Sequence, residues 1–159
     1  MSALPIEPMP AAEDVIPHRG DALLIDRIVA VDERRLLAAL TVRRGTAFSG
    51  PRGELPGWVA PEIMAQAVAA YAGCRSLRER GHAMPMGLLL GVRELQLEVE
   101  AFEPGDEVRV EVRCSSSDDD GRGVFDCELH TRAGLAATAT LTAFQPQDPA
   151  TLQALLAAE

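Results

Sequence analysis

The sequence predicts an α+β chain in which an antiparallel sheet of five to six strands wraps around one long central helix. Two observations carry that expectation. Residues 58–73 are almost wholly apolar and crowded with small side chains, and Glu62 is the one charge among them. Downstream of residue 87 the apolar period changes to two, and four extended stretches follow, separated by polar turns. Ala60, Ala65, Ala67, Ala69, Ala70, Ala72 and Gly73 leave the helix without a charged face until Arg75. A helix apolar all round must be covered on most sides, and small side chains let a curved sheet come close.

The elements follow in order. Residues 11–16 form a short helix stopped by Pro17. "ALLIDRIVAV" (22–31) and "LLAALTVRR" (36–44) are rich in branched residues and read as paired strands around the turn "DERR". Residues 45–57, "GTAFSGPRGELPG", hold four glycines and two prolines and read as a loop. The central helix is expected from about Trp58 to Arg80, with Gly81 as its stop signal. "GLLLGVRELQLEVE" (87–100) is a strand with Leu95, Leu97 and Val99 alternating against polar neighbours. "EVRVEVRC" (107–114) alternates cleanly. "VFDCELHTR" and "LAATATLTAF" make the last hairpin, turning at "AG". Asp148 and Pro149 open a short C-terminal helix over 148–158. A sheet rolled around a central helix is the hotdog arrangement.

Composition bounds the function. At 159 residues the chain is expected to be a single domain, with its core over about 14–145. Apolar residues make up 47%, which excludes disorder. No run reaches the roughly 18 apolar residues of a membrane span, and the N-terminus lacks the pattern of a secretory signal, so a cytoplasmic location is expected. All fifteen cations are arginine; the net charge of −9 argues against nucleic acid as a partner. Arg75, Arg78 and Arg80 cluster at the helix end, where the dipole favours cations. Cys74, Cys114 and Cys127 have no metal-type spacing and read as buried free thiols. The run Asp118–Asp120 lacks spaced oxygens. No metal and no cofactor are expected.

The sequence resembles the 3-hydroxyacyl-acyl-carrier-protein dehydratases. The likeness rests on "IPHRGDALLIDRIVAVD" (16–32), "LPGWVAPEIMAQAVAAYAG" (55–73), "GLLLGVRELQL" (87–97) and "PGDEVRVEV" (104–112), and covers about residues 14–145. Within that superfamily it is most similar to the divergent dehydratase-like proteins of aryl-polyene pathways, through "PHR", "MAQ", "VAAYAG" and "TAFQP". The resemblance implies a hotdog fold, removal of water from a 3-hydroxyacyl thioester in fatty-acid or aryl-polyene-type biosynthesis, and an acyl carrier protein bearing a phosphopantetheine acyl thioester as partner. It also implies a homodimer, or a heterodimer with a dehydratase paralogue.

In that family a carboxylate five residues after a Pro-Gly serves the leaving hydroxyl. Here Glu62 stands five residues after Gly57, and the Gly57 N–H would polarise the thioester carbonyl. The position makes sense on physical grounds, because a helix N-terminus offers unpaired N–H groups where an oxyanion develops. Gln66 lies one turn on and is placed to orient Glu62. The family's loop histidine falls nine residues before the glycine, where this chain has Phe48, and residues 19–81 contain no histidine. His18 is therefore read either as a replacement base or as a structural histidine. Phe48, Trp58, Leu90 and Gly91 complete the substrate-binding candidates, and Trp58 and Tyr71 also suit a core or an interface. His82 and His130 are expected at the surface. Three readings stay open: an autonomous dehydratase, a catalytically incomplete partner of a histidine-bearing paralogue, and an acyl thioesterase.

Overall fold

The computed structural model describes residues 9–82 and 87–146, with Ala150, Gln153, Ala154, Ala157 and Ala158. The expected C-terminal helix rests on Asp148 and Pro149, which lie outside the described residues. Six strands form one antiparallel sheet: β1 (Arg27–Val31), β2 (Arg35–Thr41), β4 (Leu88–Leu97), β6 (Glu107–Ser117), β7 (Arg122–Thr131) and β8 (Gly134–Phe144). Their order is β1-β2-β6-β7-β8-β4. A two-residue ribbon pairs β3 (Leu55–Pro56) with β5 (Ala101–Phe102). The helices α1 (Ala12–Val15) and α2 (Ala60–Arg80) pack with these strands, and among the described C-terminal residues Ala150, Gln153, Ala154 and Ala157 are helical. The chain leaves the sheet after β2, runs through α2 and re-enters at the opposite edge as β4, and the helix is thereby laid across the sheet.

The register explains the core. Leu36 pairs with Val112 and Ala38 with Val110; Val112 pairs with Cys127 and Val110 with Leu129. Cys127 and Leu129 in turn face Ala139 and Ala137. These rows are buried and meet Ala60, Ile63, Met64, Ala67, Ala70 and Cys74 of the helix. Each large side chain removed from water here contributes roughly 1.5–3 kcal/mol. The alternate positions face outward and carry charge: Glu111 meets Arg35 and Arg113, and Glu107 meets Arg27 and Arg109. Exposed pairs of this kind keep the face soluble and add little stability.

Several boundaries differ from expectation for identifiable reasons. The stretch 22–31 yields a strand only from Arg27, because the amides of Leu24 and Ile25 are taken by a helix side chain, Gln66. The long helix begins at Ala60 after a 3-10 turn over Gly57–Val59, which leaves Trp58 largely exposed rather than in the core. It stops where expected: Gly81 adopts φ 78° and its N–H donates to Leu77 O. Leu95 and Leu97 do not point into a core. The strand that bears them, β4, is an edge strand with two breaks in register and a left-handed Glu94 (φ 55°), so both are about 40% exposed. The helix is not wrapped on every side either: Glu62, Ala65, Ala69 and Ala72 form a partly open stripe.

The three cysteines are free and buried. Burial pushes the Cys74 thiol up to about 11 and the Cys127 thiol up to about 12. Among the described residues no helix is long and apolar enough to cross a membrane.

One helix residue is set by a close approach. A Cβ on Gly73 would run into the Val15 carbonyl of α1. Alanine normally gains about 1 kcal/mol over glycine inside a helix. Here Gly73→Ala should instead destabilise by about 1–3 kcal/mol, since the backbone of α1 must move. A thermal melt in which the variant is more stable than the parent would rule out this contact.

Candidate active site

The site is built around one buried amide. Gln66, fully buried on α2, accepts hydrogen bonds on Oε1 from the Leu24 N–H (2.9 Å) and more weakly from the Ile25 N–H (3.4 Å). Its Nε2 donates to Ala22 O (2.8 Å) and to Glu62 Oε1 (3.0 Å). The backbone bonds settle which end of the amide is which, an assignment that otherwise depends on the wider network. They also tie residues 22–25 to the helix.

That tie brings the preceding segment over the start of α2. Arg19 braces it by donating from Nη1 to Ile16 O and His18 O, both at 2.7 Å. The His18 side chain then faces Glu62, with Nε2 3.4 Å from Oε1, and both side chains are about one-third exposed. His18 Nδ1 is buried, and it is the one buried side-chain nitrogen or oxygen without a hydrogen-bond partner among the described residues. The pair opens onto a cleft of about 530 Å³ that runs along the helix past Ala65, Ala69 and Ala72, with Phe125 and Phe144 from the sheet. The wall is mixed: alanines and phenylalanines lie beside the pair, and Arg75, Glu79, Arg80, Asp118, Asp119 and Arg122 line the rest.

The remaining candidates are distributed differently. Gly57 does not offer a free amide: its N–H donates to Glu100 O at 2.7 Å, and a Cβ there would lie 2.5 Å from Val99 O. This glycine is required by the close passage of the β5 approach, and its N–H is bonded to Glu100 in the free chain. Phe48 packs against the core from its loop and does not line the cleft. Trp58, Leu90 and Gly91 are also absent from the cleft wall; Leu88 and Leu89 line it instead. Leu90 is half exposed on β4, and Gly91 follows the first break in its register. His82 is exposed, and His130 on the outer sheet face sits 3.0 Å from Glu128.

The loop that carries a histidine in the resembled family is internally satisfied here. Thr46 and Ser49 bond each other at 2.8 Å, and the buried Glu54 carboxylate accepts the Arg52 N–H at 2.8 Å. Sequence reasoning missed the sheet side of the cleft. Ala65, Ala69 and Ala72 were legible as small residues at helical spacing from Glu62, but nothing local marked Phe125 or Phe144.

Comparison with known proteins gives the family and the fold. Residues 10–155 match the ApeP-like family, described as ApeP dehydratase. The chain belongs to the ApeP-like dehydratase family. It is 32% identical over 103 residues to the 3-hydroxyacyl-[acyl-carrier-protein] dehydratase FabZ of Bacillus pumilus, covering 63% of this chain and 69% of the relative. The FabZ of Pelotomaculum thermopropionicum is 30% identical over 104 residues, covering 63% and 71%. This ApeP-like chain is thus a 3-hydroxyacyl-acyl-carrier-protein dehydratase-like protein with a hotdog fold. Among solved structures, a chain of the dehydratase heterocomplex ApeI:P from Xenorhabdus doucetiae superposes with a TM-score of 0.83 at 26% identity, over 92% of this chain and 97% of that one. A hypothetical thioesterase with coenzyme A from Streptococcus pneumoniae shares the fold alone, with a TM-score of 0.58 at 15% identity over 76% of this chain and 86% of that one.

The buried amide gives a direct test. Gln66→Leu removes the partners of two backbone N–H groups and one carbonyl, each worth roughly 1–3 kcal/mol when left unpaired. The variant should lose about 3 kcal/mol or more in urea unfolding. A loss below about 0.5 kcal/mol would mean that residues 22–25 are held by something else.

Proposed function

We propose that this chain removes water from 3-hydroxyacyl thioesters carried on acyl carrier protein, within fatty-acid or aryl-polyene-type biosynthesis. The cleft where His18 meets Glu62 is the reaction centre. One observation carries the reading: two proton-handling side chains from different elements approach to 3.4 Å in a cleft lined in part by Ala65, Ala69, Phe125 and Phe144. Dehydration needs a group to take the proton at C2 and a group to serve the hydroxyl leaving C3. Both must lie within hydrogen-bond reach of adjacent carbons. The alanine and phenylalanine part of the wall suits the acyl chain, and the helix start favours negative charge developing on the thioester.

Since His18 and Glu62 come from one chain, the site is not stripped of proton carriers by the missing loop histidine. A partner is still part of the reading. The edge strand β4 exposes Leu89, Leu90, Val92, Leu95 and Leu97. An uncovered apolar edge of this kind is a pairing surface. The likeness to a chain of the heterocomplex ApeI:P favours a two-chain assembly, with a second copy or a histidine-bearing paralogue in that place.

Light scattering at micromolar concentration should return twice the 17.0 kDa chain mass, or that of a heterodimer when the paralogue is present. A persistent monomer in both samples would contradict the assembly.

Activity is read by mass spectrometry of a 3-hydroxyacyl carrier protein incubated with the chain alone, then with its paralogue. Loss of one water is expected. Glu62→Gln should keep the fold and slow that loss by roughly 10²-fold or more. A folded variant with unchanged turnover removes Glu62 from the chemistry.

A further inference from the structure

The hydrogen bonds around Gln66 reach further than Glu62, because they specify which atom of His18 carries a proton. The Leu24 and Ile25 amides can only donate, so the Gln66 atom facing them is its oxygen. The other end is therefore the NH₂ group, and Glu62 Oε1 accepts from it at 3.0 Å. His18 Nε2 faces that same oxygen at 3.4 Å. A bare nitrogen lone pair set against an oxygen already acting as acceptor would be repelled. An N–H at Nε2 is attracted. The proton accordingly sits on Nε2, and Nδ1 keeps its lone pair, enclosed by protein where no substrate reaches it.

We infer that His18 presents an N–H donor to the substrate, and that Glu62 is the group that moves the proton. This rests on the dehydratase reading and reverses the division of labour in which the histidine is the base. The Nε2–H takes the place of the Gly57 amide, which is spent on Glu100. Both contacts to Glu62 fall on Oε1, leaving Oε2 uncommitted among the described residues.

The steps balance without a further reactant. The Glu62 carboxylate takes the C2 proton, and the C2–H electron pair becomes the enolate of the thioester. Its oxyanion is held by the His18 N–H, which leaves the loose contact with Oε1 as substrate enters. The C3–O bond then breaks as the enolate pair forms the C2–C3 double bond. The proton on Glu62 passes to the departing hydroxyl and gives water, and the carboxylate is restored. A single carboxyl serving adjacent carbons requires proton and hydroxyl to leave from the same face.

The test uses the full chain, alone and with its paralogue, and two readouts. In the ¹⁵N NMR spectrum of the free protein, His18 should show a protonated Nε2 and an unprotonated Nδ1; the opposite tautomer overturns the assignment. In turnover, His18→Gln sets an amide N–H near the Nε2 position and should stay within about tenfold of the parent. His18→Phe lacks a donor and should fall by about 10²–10³, the usual cost of one oxyanion donor. If His18→Gln is as impaired as His18→Phe while melting like the parent, the histidine carries the proton and the inference fails. If the parent itself removes no water in either sample, the dehydratase reading fails, an outcome distinct from the first.

Discussion

Gln66 is the constraint on which the rest of the site depends. It is a fully buried polar side chain whose four hydrogen bonds reach both the N-terminal segment and Glu62. Leaving such a group half satisfied is costly, so the two elements it joins are held together or not at all. The tie costs β1 its first residues, since amides that would have entered the sheet are turned to the helix. In return His18, which lies outside the sheet and far from Glu62 in sequence, is delivered to the helix start. Functional groups held by buried hydrogen bonds on rigid elements keep their geometry better than groups on free loops.

A second consequence concerns how negative charge on a thioester is met. The start of α2 is an electropositive end, but the particular amide expected there is committed. Gly57 N–H closes the bond to Glu100 that positions the β3–β5 ribbon beneath the helix start. The glycine is thus explained by the nearness of another backbone, and its place in a recognisable motif does not by itself make its amide available. The loop preceding it is likewise complete in itself, with Glu54 turned inward onto Arg52 N–H. In this chain the helix carboxylate Glu62 faces His18 of the N-terminal segment, and position 48 of the loop is a phenylalanine.

The connection through α2 ties the site to the assembly. Because the chain crosses from β2 to the far edge of the sheet, β4 ends as an edge strand beside the open stripe of the helix. The exposed leucines of β4 and the cleft-lining Leu88 and Leu89 belong to one strand, so a partner pairing there would also close one wall of the cleft. The irregular backbone at Glu94 limits how far regular pairing can extend along that edge.

By itself the sequence determined the long small-residue helix and its stop at Gly81. It also determined the alternating strands after residue 107 and the isolated Glu62 with Gln66 one turn away. Each is a short-range pattern, read from a period or a spacing within one element. Tertiary structure alone decided that His18 faces Glu62, that the Gly57 amide is spent, that Phe48 stays out of the cleft, and that Leu95 and Leu97 lie on an edge. These are relations between segments distant in the chain. They follow from which backbone groups compete for Gln66 and Glu100 and from which strand ends at the rim. Hydrogen bonds of that kind are satisfied only once the whole sheet has closed on the helix, and no local spacing announces them.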